Sequence, residues 1–174
     1  MTLPKTPFFW LLPKAALQMS LAEMAPDGAR GCEGVALWLG RRVAGLVTIT
    51  HVIGLRGPGV VKRPDYLSIS AELLDDVTDV AIERDVYLVG QIHSHSGSWV
   101  DLSVPDKRFG VRAPGYLSVV APHFARDPAT PPKLCGFHVF AHGQWRRLAT
   151  WERPWRVVII NGAASLVLVG EEER

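Results

Sequence analysis

The sequence predicts a single mixed α/β domain, a mostly antiparallel sheet flanked by helices. Three observations predict it. At 174 residues with 48% in the hydrophobic set, the chain can bury one sizeable core and is short for two. Short apolar, β-branched runs of strand length recur between Gly- and Pro-rich breaks. Only two segments, before and after the first hairpin, carry apolar residues at helical spacing.

PFFWLL suits a strand, and Pro13 follows where the first turn of a helix tolerates proline. KAALQMSLAEMA then places Ala16, Leu17, Leu21 and Met24 on one face, and PDGARG ends the helix. GVALWLG and VAGLVTITHVIG read as a hairpin turning at Arg41 and Arg42. GLRGPGVVKRPD, residues 54–65, reads as a loop, and YLSIS as a short strand. Ser70 can cap a helix over AELLDDVTDVAIERD, whose Leu73, Leu74, Val77, Val80 and Ala81 share a face. VYLVGQIHSH is a buried strand, and GYLSVVAP, CGFHVFAHG, QWRRLA, RVVII and SLVLV follow as further strands. DPATPP is a loop and EEER a frayed tail. No repeat or low-complexity segment interrupts this order.

Charge and composition exclude several classes. Lys and Arg total 19 against 17 Asp and Glu, with no basic run, so neither nucleic acid nor an anionic membrane is an expected partner. Cys32 and Cys135 form no CxxC pair and read as buried thiols of a reducing cytosol. FFWLL is cut short by Pro13 and lacks a cleavage site, and no run approaches the roughly 18 apolar residues that span a bilayer. The expectation is a soluble, cytoplasmic protein.

The chemistry concentrates in HSHSGSWVDLSVPD, residues 93–106. Residues i and i+2 of a strand share a face, so His93 and His95 project together while Ser94 points away. Two imidazoles at a strand end are placed to share a metal, and Asp106, eleven residues downstream, can fold back as a third ligand. Each residue also has a plainer reading. Ser103 and Asp106 fit an S-x-x-D helix start, and an HxH alone is often two histidines on a half-exposed strand.

Together, HSH-x7-S-xx-D resembles the signature of the JAMM metalloprotease family, also called MPN-plus or JAB. That family has a glutamate upstream in a pattern like E-x-G-G-(I/V)-L-L-G, and Glu33 opens EGVALWLG seven residues before Gly40. GYLSVVAPHFA and GFHVFAHGQWRRL resemble the strand after the metal loop and the closing hairpin of bacterial members, so the likeness covers roughly residues 8 to 160. Ser96 stands where proline is usual, and Val35 and Ala36 where glycines are common; neither change removes a reactive group. The resemblance implies one JAMM/MPN domain over 1–174, with a curved sheet in a cytidine-deaminase-like three-layer architecture.

It further implies that His93, His95 and Asp106 bind Zn²⁺, with water in the fourth position acidified to a pKa of about 7. Glu33 would take the proton of that water and pass it to the leaving amine, and Ser103 would hydrogen-bond the oxyanion. Ser94 and Ser98 are outer or loop groups, and Trp99 either lines a cleft or packs. His51, His123, His138 and His142 read as ordinary surface or hydrogen-bonded core residues.

The implied substrate is the bond after the C-terminal Gly-Gly of a ubiquitin-like protein, in a peptide or an isopeptide. Residues 54–65 would wall the cleft, so that deleting 57–62 raises KM. The loop after Asp106, KRFGVRAPG, is short, which speaks against recognition of lysine-linked chains. The compact chain resembles bacterial stand-alone members that accompany E1- and E2-like conjugation enzymes, some in antiviral defence; others trim ubiquitin-like sulfur carriers. A non-catalytic MPN scaffold is the rival from another class, and it would lack ligands that this chain keeps. A nucleobase deaminase would need H-x-E and PCxxC, and an HxH amidohydrolase a barrel of about 250 residues.

Overall fold

The structure, a computed structural model, describes residues 8–170; the EEER tail and the proline that opens PFFWLL lie outside the described residues. β1 (Phe9–Pro13) runs directly into α1 (Lys14–Ala29). Pro13 is the extended N-cap, with φ −59° and ψ 135°, so the helix starts one residue later than the sequence predicts. It also ends later, passing through PDGA despite Pro26, whose missing N–H forfeits one helical bond. Tertiary contacts hold this last turn. Buried Asp27 accepts from Lys62 Nζ at 2.7 Å and pairs with Arg30, while Arg126 Nε donates to the Gly28 carbonyl at 2.9 Å. Gly28 abuts the 123–125 turn so closely that a Cβ would lie 2.3 Å from the Phe124 oxygen.

β2 (Val35–Val43) and β3 (Leu46–Leu55) form the expected hairpin, but the turn is Ala44–Gly45, at φ 48° and 84°. Two positive φ values match the right-handed twist of the strands, whereas Arg41 and Arg42 stay in β2 opposite Thr48 and Val47. Residues 54–65 are not all loop. β4 (Val60–Arg63) pairs antiparallel with β5 (Tyr66–Ile69) across a turn at 64–65. α2 (Ala71–Glu83) follows, its Leu73 N–H donating to Ser70 Oγ at 3.2 Å; of the predicted face Leu73, Val77 and Ala81 are buried, and Leu74 and Val80 are partly so. The remaining elements are β6 (Tyr87–Ser94), α3 (Val104–Phe109), β7 (Leu117–Ala121), β8 (Gly136–Ala141), β9 (Gln144–Arg147), α4 (Arg153–Arg156), β10 (Val157–Ile160) and β11 (Ser165–Val169).

The main sheet runs β10-β1-β3-β2-β6-β7-β8-β9, with β11 beside β3. Five of the nine strand pairings among the described residues are antiparallel. β1 and β11 share one edge of β3, β1 against Leu46–Thr48 and β11 against His51–Leu55. The alternation of side chains sorts residues to two cores. α1 covers Trp10, Trp38, Val52 and Ile92 on one face, and α2 with β5 covers Val35, Leu37, Leu39 and Ile53 on the other. The result is three layers. The buried Trp38 indole donates to Ser20 Oγ at 2.8 Å, and Ser20 donates to the Ala16 carbonyl at 2.7 Å, so no polar atom of this contact is stranded. Cys135 is buried as expected, but Cys32 is half-buried beyond α1. No helix among the described residues is long and apolar enough to cross a membrane.

Candidate metal centre

β2 and β6 set the site through their register. Val35 pairs with His93, and the ladder continues with Ser94 N–H donating to the Gly34 carbonyl at 3.0 Å. Gly34 N–H in turn donates to Ser94 Oγ at 2.9 Å, which gives that serine a structural task away from the metal face. Two residues on from Val35 and His93, the same antiparallel register brings Glu33 opposite His95.

His93 and His95 are 1% and 8% exposed, with ring centroids 5.1 Å apart. Asp106 Oδ2 lies 3.4 Å from His93 Nε2 and 3.3 Å from His95 Nε2. The helix start and the ligand position coincide in the same residues. Ser103 Oγ accepts from Asp106 N–H at 3.2 Å, and Asp106 Oδ2 accepts from Ser103 N–H at 2.7 Å, a closed capping box at the head of α3. Because Ser103 Oγ is an acceptor in the cap, its hydroxyl proton is left to donate elsewhere.

His95 Nδ1–H donates to the Trp99 carbonyl at 3.2 Å, and the Trp99 ring stacks on the imidazole at 5.4 Å with 13° between planes. With Nδ1 so engaged, Nε2 is the ring atom that faces Asp106, donating to its carboxylate when protonated and offering its lone pair to a cation when not. His93 Nδ1 lies 3.4 Å from the Gln91 side-chain amide, which also takes a hydrogen bond from the Tyr116 hydroxyl at 3.1 Å. His93 Nε2 is buried with no hydrogen-bond partner. One donor atom from each of His93, His95 and Asp106 fits within 4.8 Å of the others. An orphaned buried nitrogen aimed at two further donors is costly unless a cation uses it, so the residues fit a metal ion held by two imidazoles and a carboxylate.

The electrostatics agree. Burial alone would raise Asp106, but the His93 and His95 imidazoles beside it, with the Ser103 N–H, hold its carboxyl far below the usual range. Burial lowers His95, yet Asp106, the Trp99 carbonyl and Glu33 outweigh it and leave the imidazole above its ordinary value. Glu33 is half-buried, and desolvation pushes its carboxyl up to about 7, with Asp106 adding to the rise and His95 opposing it. All five predicted site residues therefore meet at one end of the sheet. Two contributors were missed: Gln91 and the Trp99 carbonyl. Gln91 shares the i, i+2 face of His93 and carried that much signal; the Trp99 carbonyl depends on how the loop folds.

No protein-family model matches the chain. It is 26% identical over 139 residues to a protein of Sinorhizobium fredii named "Probable metalloprotease y4jG", covering 79% of this chain and 85% of that one. This distant similarity to a protein named as a metalloprotease agrees with the metal-ligating cluster at the coarse level of a metal-dependent protease. The fold resembles the solution structure of protein DSY2949 from Desulfitobacterium hafniense, with a TM-score of 0.61 and 18% identity, covering 95% of this chain and 96% of that one. The second likeness is one of fold alone.

Proposed function

We propose that the chain is a zinc peptidase of the JAMM type, cleaving after the C-terminal Gly-Gly of a ubiquitin-like protein. The observation that carries this is the three-donor cluster of His93, His95 and Asp106 with Glu33 facing it. The similarity to the protein named a probable metalloprotease supports the coarser half of the reading. Zinc held by these three residues would supply Lewis acidity to a water and to the scissile carbonyl. Glu33, whose carboxyl sits near neutrality, takes a proton from the attacking water and returns it to the leaving amine nitrogen as the C–N bond breaks. Ser103 donates its free hydroxyl proton to the carbonyl oxygen as negative charge develops there. Trp99, stacked on His95, shields that ring from solvent.

The substrate end is read from the β4–β5 hairpin. Its Arg63 carbonyl accepts from Glu33 N–H at 3.0 Å, so the hairpin is tied directly to the residue that moves the proton. A Gly-Gly tail has no side chains and can lie extended against such a strand edge. The biological setting we favour is deconjugation or precursor processing beside E1- and E2-like enzymes of a bacterial ubiquitin-like system, with trimming of a sulfur carrier as the second reading.

The test is cleavage of a ubiquitin-like protein fused through Gly-Gly to a reporter, comparing wild type with Glu33→Gln at equal zinc content. Wild-type cleavage after the second glycine, lost in the variant, supports the peptidase and its base. If the variant cuts as fast as the wild type, Glu33 is not the base; if neither cuts any Gly-Gly fusion, the substrate assignment fails.

A further inference from the structure

We propose that Asp101 and His138 form a latch that positions the metal loop on the sheet, making both positioning residues for the centre formed by His93, His95 and Asp106. The inference rests on that centre holding a metal. His93 and His95 ride on or beside β6, which is fixed by ladders on both sides. Asp106 does not. It sits on α3, a six-residue helix with no buried residue of its own, so packing of that helix cannot place it.

The connection runs through the segment just before Ser103. Asp101 Oδ1 accepts from His138 Nε2–H at 2.8 Å and from Leu102 N–H at 2.9 Å. Arg147 Nη1 lies 3.9 Å from its other oxygen. His138 is 1% exposed in the middle of β8, where its neighbours in register are Ser118 on β7 and Arg147 on β9. Two residues earlier on the same face, Gly136 meets the Val100 carbonyl so closely that a Cβ would lie 1.9 Å from that oxygen. β8 therefore grips two consecutive loop residues, 100 and 101, and the buried Leu102 closes the segment. From there the capping box fixes Asp106 to Ser103. The path runs from the sheet to His138 and Asp101, along the backbone through Leu102 to Ser103, and through the cap to the ligand. Groups that orient a ligand in this way typically cost 10- to 100-fold in metal affinity when removed.

The probe is cobalt(II), whose visible absorption reports ligand geometry and whose titration gives affinity without any turnover. Full-length wild type, Asp101→Ala, Asp101→Asn and His138→Phe are titrated, with melting of each metal-free protein followed in parallel. Asp101 is 36% exposed, so its alanine variant opens no core cavity but leaves the buried His138 Nε2–H without its acceptor, whereas phenylalanine fills the volume of His138 and removes that donor, an independent route to the same break. The expected result is a ten-fold or greater loss of cobalt affinity and an altered band in Asp101→Ala and His138→Phe. Asp101→Asn, which keeps the acceptor oxygen, recovers the wild-type spectrum. Equal affinity and spectra in all four proteins, even with lower melting temperatures, overturn the latch and leave the metal reading standing. A wild type that takes up no cobalt overturns the metal reading and the latch with it.

Discussion

Glu33 is the residue at which this fold gives up stability. Its carboxyl is raised from 4.5 to about 7 chiefly because burial strips water from the charged form. Between those two values the native state binds more protons than the unfolded chain, so stability falls as pH rises through the window and stays lower above it. In metal-free protein, Glu33→Gln should therefore gain more stability over wild type at pH 8 than at pH 4.5 in urea unfolding. An equal difference at the two pH values would mean that the carboxylate is well hydrated. Ser103 can be separated into its two tasks. Glycine at an N-cap costs only a few tenths of a kcal/mol, so Ser103→Gly should melt close to wild type while kcat on a Gly-Gly fusion falls by about 10²-fold or more. Parallel loss of melting temperature and rate would reduce the serine to a cap. At this scale the sequence was legible where chemistry is local. The i, i+2 histidines and S-x-x-D declare themselves by spacing, whereas His138 meets Asp101 only through the register of β7, β8 and β9 and the fold of the loop.

Among the elements, the β2–β3 hairpin shows what hydropathy reads well and what it misses. Its strands are plain from apolar runs, but the charged pair Arg41–Arg42 draws the expected turn three residues too early. The deciding property is backbone conformation. Ala44 stands at φ 48° beside Gly45 at 84°, and alanine gains nothing from a left-handed site that asparagine tolerates. Ala44→Asn should raise the urea midpoint by the equivalent of roughly 0.5–1 kcal/mol with an unchanged m-value. A lower midpoint would show that the turn opens to accommodate the side chain. The β4–β5 hairpin was hidden for the opposite reason. The glycines and prolines of residues 54–65 mark a break in regular structure, while the pairing of Val60–Arg63 with Tyr66–Ile69 goes with a non-local tie, the Glu33 N–H bonding the Arg63 carbonyl just ahead of β2. Pro26 inside α1 follows the same rule: contacts from Lys62 and Arg126, distant in sequence, carry the helix through a residue that would end it in isolation.

For the whole molecule, the class of fold follows from composition and periodicity, but the strand order does not, because the sheet is closed by pairings far apart in the chain. β10 reaches back to β1, and β11 inserts beside β3 next to it, with neither partner marked by local pattern. The candidate centre has the same non-local character. It sets Glu33, just before β2, against donors from the end of β6 and from α3, and a metal there would tie β6 to α3, which the unfolded chain leaves free of one another. A ligand that binds only the native state stabilises by RT ln(1 + [L]/Kd), or about 2.7 kcal/mol at a hundred times Kd. For a chain of this length each kcal/mol moves Tm by roughly 2–4 °C, so zinc at that excess should raise Tm by about 5–11 °C and a chelator should reverse the rise. Asp106→Asn weakens a carboxylate ligand while an amide keeps much of the Ser103 cap, so its metal-free Tm should fall by the loss of the carboxylate's contacts with the two imidazoles, and most of its zinc response should vanish. If Asp106→Asn responds to zinc as fully as the wild type does, the ion binds elsewhere, and the cluster of two histidines and an aspartate is a hydrogen-bonded core rather than a metal centre.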